Sequence, residues 1–405
     1  MKILFLTPQI PYPPQKGTSM RNWGLISGLA ERHQVSVLSF LDPGQSPVLD
    51  DKLTATCRIE VVEPPVRTLH DRLRDMVITS KPDMALRLAS DAYAERLADL
   101  MGEEDLNIVH VEGIEMAPYI STIRTAGPSA WLVFDDHNCE YLLQKRAFVT
   151  DLRVPRRWPG AAYSFVQWLR LRRYEAQACR RADRVIAVSE ADAAALHRLV
   201  PGAQVTVAPN GIDTRAYRPE ISNHKAQIAK SSLVFTGTMD FRPNVDAVLW
   251  FAREVLPRVR AQVPDVHFCA VGQRPHRRLS VLGTDPAVTM TGFVEDTRPY
   301  ITDAAVYVVP LRMGGGTRFK ILEAMAMGKP VVSTRLGAEG FPVTHGQELL
   351  LADEPEPFAD AVVSLLRSPE RREALGRTGR AFVEARYDWR TIVPLVEAAY
   401  ESPNL

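Results

Sequence analysis

The chain has 405 residues, 46% of them hydrophobic and 24% charged, with a formal net charge of +1. That length exceeds one ordinary core and favours two or three domains, and near-neutrality argues against a nucleic-acid binder. Cys57, Cys139, Cys179 and Cys269 lie far apart with no C-x-x-C pair, so neither a disulfide framework nor a zinc signature is present, which fits a reducing compartment.

The apolar run Ile3–Leu6 is followed by prolines and is too short for a secretory h-region. No later segment reaches about 18 uninterrupted apolar residues, so the expected location is cytoplasmic. "KILFL" reads as a buried strand, Thr18–Arg32 as a helix, and Gln34–Phe40 as the next strand. Further strand patterns fall at Asn107–Glu112, Trp131–Asp136, Arg184–Ser189 and Gln204–Pro209. The alternation restarts with strands at Ser232–Gly237, Val266–Gly272, Ala287–Gly292, Ala305–Pro310 and Pro330–Thr334. Helix patterns cover Asn244–Gln262, Arg318–Met327, Pro357–Leu366 and Glu370–Arg386. Strand-then-helix alternation predicts doubly wound parallel sheets. The expectation is an α/β chain with two Rossmann-like domains, 1–205 and 206–387, and a last helix within 388–405 that packs back on the first domain. Two such sheets facing each other would leave a cleft between them.

Ligands of open α/β sheets bind beyond the strand C-termini, at helix N-termini. The junction "LRMGGGTRFKILEAMAMGKP" is the strongest of these. Gly314, Gly315 and Gly316 with Thr317 offer bare backbone N–H groups, an anion cradle. Arg318 and Lys320 are expected in the first helical turn, where cations oppose the helix dipole at roughly 0.3–1 kcal/mol each. A bound diphosphate would supply the missing negative charge. Gly328 is the expected C-terminal cap, with Pro330 beyond it.

These residues, with "VAPNGIDTRAYRP", "VTMTGFVED" and the N-terminal "MKILFLTPQIPYPPQKGTSMR", resemble the retaining glycosyltransferase family 4, of GT-B fold, nearly end to end. The resemblance implies sugar transfer from a nucleotide diphosphate sugar to a hydroxyl acceptor, a glycan or lipid-linked, in cell-surface polysaccharide or glycolipid assembly. It also implies that Glu323 holds the donor ribose, with Leu322 beside it, and that Phe293 and Val294 contact the base. Gly272 would face the same donor, Gly17 would lie against sugar and phosphate, and His137 near the transferred sugar. Two departures stand out. Gly315 occupies the place of an acidic residue that contacts the sugar, and Thr238 and Pro243 replace the usual arginine and lysine. Arg318 and Lys320, with Arg242, are read as the substitute cations, so His137, Arg318 and Lys320 are the candidate catalytic residues. A nucleotide-sugar epimerase and a non-catalytic nucleotide-sugar binder are the competing readings.

Asp135 and Asp136 are adjacent on a strand and should point to opposite faces; no Asp-x-Asp occurs and no His/Cys cluster has ligand spacing, so no metal or other cofactor is expected. His110 and Glu112 share one strand face. Asn210-Gly211 reads as a turn at the domain hinge, and Lys16 and Arg21 as facing the ligand. Residues 152–184 are strongly basic, with Trp158, Phe165 and Trp168 interleaved. They read either as a helix with a solvated arginine face or as a contact with the inner membrane surface.

Overall fold

The computed structural model describes residues 1–14, 17–41, 49–219, 232–314 and 318–401. The chain divides into two units, Met1–Asn210 with Trp389–Leu405, and Gly211–Asp388. In the first unit the strands are β1 (Lys2–Thr7), β2 (Gln34–Phe40), β3 (Arg58–Val62), β4 (Ile108–Glu112), β5 (Trp131–Asp136), β6 (Arg184–Ala187) and β7 (Val205–Val207). They form one sheet in the order β3-β2-β1-β4-β5-β6-β7, with all neighbours parallel. Side chains alternate between two cores, as a period of two requires. Leu4 and Leu6 enter one core and Ile3 and Phe5 the other. Burial on both faces is why these strands read as continuous apolar runs. β3 was not anticipated, because it is an edge strand of mixed composition that is mostly half-buried.

The second unit holds β8 (Ser232–Thr236), β9 (His267–Val271), β10 (Val288–Met290), β11 (Val306–Val309), β12 (Val331–Ser333) and β13 (Leu350–Leu351). Their order is β10-β9-β8-β11-β12-β13, again parallel throughout, around a single core. β13, two residues long, was also not anticipated. The helix expected over Asn244–Gln262 runs from Arg242 to Arg260 with a π turn at Phe251–Val255. That turn immediately precedes the segment carrying Pro257, which cannot donate a backbone hydrogen bond.

In both sheets the strand order reverses beside the first strand, between β1 and β4 and between β8 and β11. Those switch points are where open parallel sheets admit ligands. The last helix, Trp389–Ala398, packs on helix Gly17–Ala30: a Cβ on Gly24 would lie 2.0 Å from the Trp389 ring, and one on Gly28 2.5 Å from Val393.

Candidate functional site

At the switch point of the second unit, Gly237 follows β8, and Gly272 follows the neighbouring β9. A Cβ on Gly272, whose φ is +151°, would stand 1.8 Å from the Gly237 carbonyl oxygen, so only glycine allows this approach. Gly272 N–H donates to Thr291 Oγ1 over 3.2 Å, and Gly272 bridges to Gly292. The turn after Gly237 is tied by Asn244, whose side-chain N–H donates to the Thr238 carbonyl over 2.9 Å.

Helix Phe319–Ala326 opens beside that turn. Arg318 is not in its first turn, as the sequence suggested, but is the N-cap with extended backbone. Lys320, in the first turn, carries charge against the dipole. It reaches back to β8: its Nζ donates to Asn244 Oδ1 over 3.0 Å, lies 3.9 Å from the Phe235 ring centroid, and would be 3.0 Å from a Cβ on Gly237. Burial pushes the Lys320 ammonium down to about 7; Glu323 opposes the shift and Arg318 adds to it. Desolvation raises Glu323, against the pull of Lys320, and Tyr217 O–H lies 3.5 Å from its Oε1. The helix then stops as expected. Gly328, at φ +66°, donates to Met325 O and Lys329 to Ala324 O, each over 2.9 Å.

The other donor-side residues are placed as follows. Arg318 Nη2 would be 3.2 Å from a Cβ on Gly314. Gly315, Gly316 and Thr317 lie outside the described residues, as does Lys16. Arg242, exposed, is the first residue of its helix. Phe293 is exposed and Val294 partly buried beside the core. Leu322 is a correction: the residue is completely buried in the core, inside the helix, and presents no surface to a ligand.

The first unit presents a second constellation at its own switch point. Glu112 ends β4, and His137 follows β5, where Glu112 pairs with Asp135 in register. His137 Nε2 and Glu112 Oε2 are hydrogen-bonded. Glu112 Oε1 also lies 3.1 Å from His110 Nε2, and His110 Nδ1 is 2.7 Å from the Tyr400 hydroxyl. Asn22 can donate to Glu112 Oε2 over 2.8 Å. Burial would raise the Glu112 carboxyl, but the His137 and His110 imidazoles outweigh it and hold it well below the usual range. Burial likewise opposes the charge on His137, yet the Glu112 carboxylate raises that imidazole above its ordinary value. Gly17 starts helix Gly17–Ala30 at the same end of the sheet.

Arg21 corrects the reading that had it facing a ligand. It is fully buried, donating from Nε and Nη2 to Asp135 Oδ2 over 2.9 and 2.7 Å, and from Nη1 to Asn210 Oδ1 over 3.2 Å. Asp135 and Asp136 do go to opposite sides. Asp136 approaches Glu175, with one donor atom each of Asp136, Cys139 and Glu175 within 4.8 Å of one another. One donor atom each of His110, Glu112 and Asp135 likewise lies within 4.8 Å of the others. The fold thus gathers two donor sets that sequence spacing did not reveal. The first-named set consists of two carboxyls and a thiol, whereas in the other the carboxylates face Arg21 and two imidazoles.

Two family models match this chain: one described as Glycosyltransferase Family 4 over residues 16–216, and one as Glycosyl transferases group 1 over residues 230–368. The GDP-mannose-dependent monoacylated alpha-(1-6)-phosphatidylinositol monomannoside mannosyltransferase of Corynebacterium glutamicum is 29% identical over 202 residues, 45% of this chain and 52% of that protein. The chain spans about half the length of the curated relatives it matches. Among solved structures, sucrose-phosphate synthase from Thermosynechococcus elongatus is similar at a TM-score of 0.73, with 18% identity over 99% of this chain and 98% of that one. HepE of Anabaena in complex with UDP and glucose is similar at 0.65, with 17% identity over 98% of each chain. Two all-parallel Rossmann-like units, the order of motifs and both family matches agree: the chain belongs to the family 4 glycosyltransferases, of GT-B fold.

Proposed function

We propose that this chain is a retaining glycosyltransferase that takes a sugar from a nucleotide diphosphate sugar and passes it to a hydroxyl acceptor, a glycan or lipid-linked, in cell-surface polysaccharide or glycolipid assembly. One observation carries the donor half: the Lys320 ammonium is desolvated, fixed by Asn244 and set beside the glycine end of β8. A half-buried cation that has lost part of its hydration is costly to hold without a counter-charge. A diphosphate is such a counter-charge, and it becomes more negative as the glycosidic phosphate bond breaks.

In that reaction Lys320 and Arg318 stabilise charge developing on the leaving diphosphate, and Glu323 with Tyr217 accepts from and orients the ribose diol. Fixed charge of this kind lowers the barrier because it needs no reorganisation during the step. His137, held by Glu112, orients the transferred sugar and need not act as a base. The mannosyltransferase relative is GDP-mannose-dependent by name and HepE was crystallised with UDP, so GDP- and UDP-sugars are the first donors to test.

The test is calorimetry with GDP, UDP and their mannose and glucose sugars, followed by transfer assays with the bound donor and by NMR of the product's anomeric configuration. Lys320→Ala should cut kcat about 100-fold or more while the fold survives. Equal turnover in that variant would remove Lys320 from the mechanism, and an inverted product would exclude retention.

A further inference from the structure

The residues around the end of helix Trp389–Ala398 are tied to the rest of the first unit. Trp131 Nε1, on β5, donates to the Ala399 carbonyl over 3.2 Å. Glu397 meets Arg32 at 2.7 Å and His33 at 2.8 Å, in the turn before β2. Tyr400 is thereby held inside, 1% exposed. A tyrosine buried so completely needs a partner for its O–H, and His110 Nδ1 supplies one at 2.7 Å.

His110 is itself locked. Phe5 stacks on its ring at 4.5 Å and 19°, and the Tyr400 ring meets it edge-on at 86°. The imidazole is completely buried, so both ring nitrogens must be satisfied within the protein. Nε2 lies 3.1 Å from Glu112 Oε1 and 3.4 Å from Asp135 Oδ2, and Arg21 faces Asp135 from helix Gly17–Ala30. Carboxylates only accept, so Nε2 carries a proton. The Tyr400 hydroxyl can accept from Nδ1 when the imidazole is charged and donate to it when neutral. It therefore suits His110 in either state and keeps Nε2 turned toward Glu112. Glu112 divides its oxygens: Oε1 faces His110, and Oε2 faces His137 and Asn22. The carboxylate is flat, so fixing one oxygen fixes the other.

We propose that Tyr400 and His110 are positioning residues for His137: they hold the Glu112 carboxylate in the one orientation that presents Oε2 to the His137 ring. The inference rests on the reading of His137 as the residue that orients the transferred sugar. An imidazole bonded to a carboxylate keeps its tautomer and direction only while the carboxylate itself is held. Here that hold runs from Tyr400 through His110 to Glu112. The first unit's constellation is thus completed by a residue 263 positions after the histidine it serves, 400 against 137.

The test is nitrogen NMR of the histidine rings in the full chain, with and without Tyr400→Phe, which keeps the ring and removes the hydroxyl. The His110 and His137 nitrogens should both shift, while those of His267 and His345 in the second unit should not. Donor affinity by calorimetry should stay within about twofold and kcat should fall roughly tenfold, the worth of one hydrogen bond to an ionisable group. Val396→Ala is the control for packing: Val396 is buried in the same helix, so stability should fall with the His137 nitrogens unmoved. His137 unmoved in Tyr400→Phe, or moved equally by Val396→Ala, overturns the proposal. So does a moved His137 with undiminished kcat, because the transfer would then not depend on this hold. The NMR measurement needs no substrate, so it decides the hold on His137 even if the wild type transfers no sugar, a result that would strike the proposed function instead.

Discussion

Lys320 Nζ donates to Asn244 Oδ1 over 3.0 Å, joining the helix that follows β11 to the helix that follows β8. The bond fixes where a half-protonated ammonium waits. With its group near 7, Lys320 is partly neutral at physiological pH, and a diphosphate would favour the charged form. Nucleoside diphosphate affinity should therefore fall as pH rises above about 7, and binding at pH 8 should take up close to one proton. Calorimetry in two buffers of different ionisation enthalpy reads this directly. Lys320→Ala should abolish the uptake; uptake that persists would assign it to another group. The unliganded protein should also gain stability as pH climbs from about 7 to about 10.5 through this group. Over that window the unfolded chain holds a lysine proton the native state has released.

Glu112→Gln tests the pairing in the first unit. The carboxylate raises the His137 imidazole against the effect of burial. The pair contributes stability that is complete below the ordinary histidine value, about 6.5, and lost as pH rises through the higher folded value. Glutamine keeps the shape but not the charge, so His137 should titrate lower than in wild type. Imidazole NMR titration follows it. An unmoved His137 would show that Asp135, not Glu112, sets its charge.

Asp136→Asn addresses the buried acids. Glu175 accepts the backbone N–H groups of Glu140 and Tyr141, each over 2.9 Å, at the start of the helix after His137. Burial raises Asp136 well above the carboxylate range and Glu175 to about 8, with Glu140 and Asp192 adding to the shift on Asp136. Cys139 and Cys179 are the neighbouring thiols, both themselves raised by burial. The native state thus keeps a proton that the unfolded chain gives up near pH 4, and wild-type stability should fall as pH rises from there through about 8. Asparagine donates to Glu175 without a titrating proton. Melting temperatures of the variant should match wild type near pH 6 and exceed it near pH 9; parallel curves would refute a shared proton.

Gly272→Ala should be among the most damaging single changes in the second unit. The added carbon would stand 1.8 Å from a backbone oxygen, so the strand end must move. Overpacking and backbone strain together imply a loss of about 3 kcal/mol, measurable by urea unfolding. Wild-type stability in this variant would mean that β8 and β9 part without cost at this point.

Most strands were legible because both sheet faces are covered, and a buried strand leaves an apolar run wherever it lies. β3 was not, since Arg58 and Glu60 interrupt it at a sheet edge. Residue pairing was the harder part. Lys320 was visible as a misplaced cation, but nothing in the sequence joins it to Asn244, 76 positions earlier. Arg21 read as a cation facing the ligand because its partner, Asp135, arrives 114 residues later. His137 was legible through its motif. Its dependence on Glu112 is a matter of strand register, which adjacent parallel strands set through their crossover and no local pattern records.

The helix at Trp389–Ala398 belongs to the first unit although it is made last. Its tryptophan ring fills the space above Gly24, and Tyr400 just beyond it supplies the hydroxyl that His110 meets. On the ribosome, the second unit is therefore finished while the first still lacks a piece of its own interior. The order of completion is the reverse of the order of synthesis. Until that last helix has emerged, the early sheet must persist with an open apolar face, and that interval is when the nascent chain would most need a chaperone.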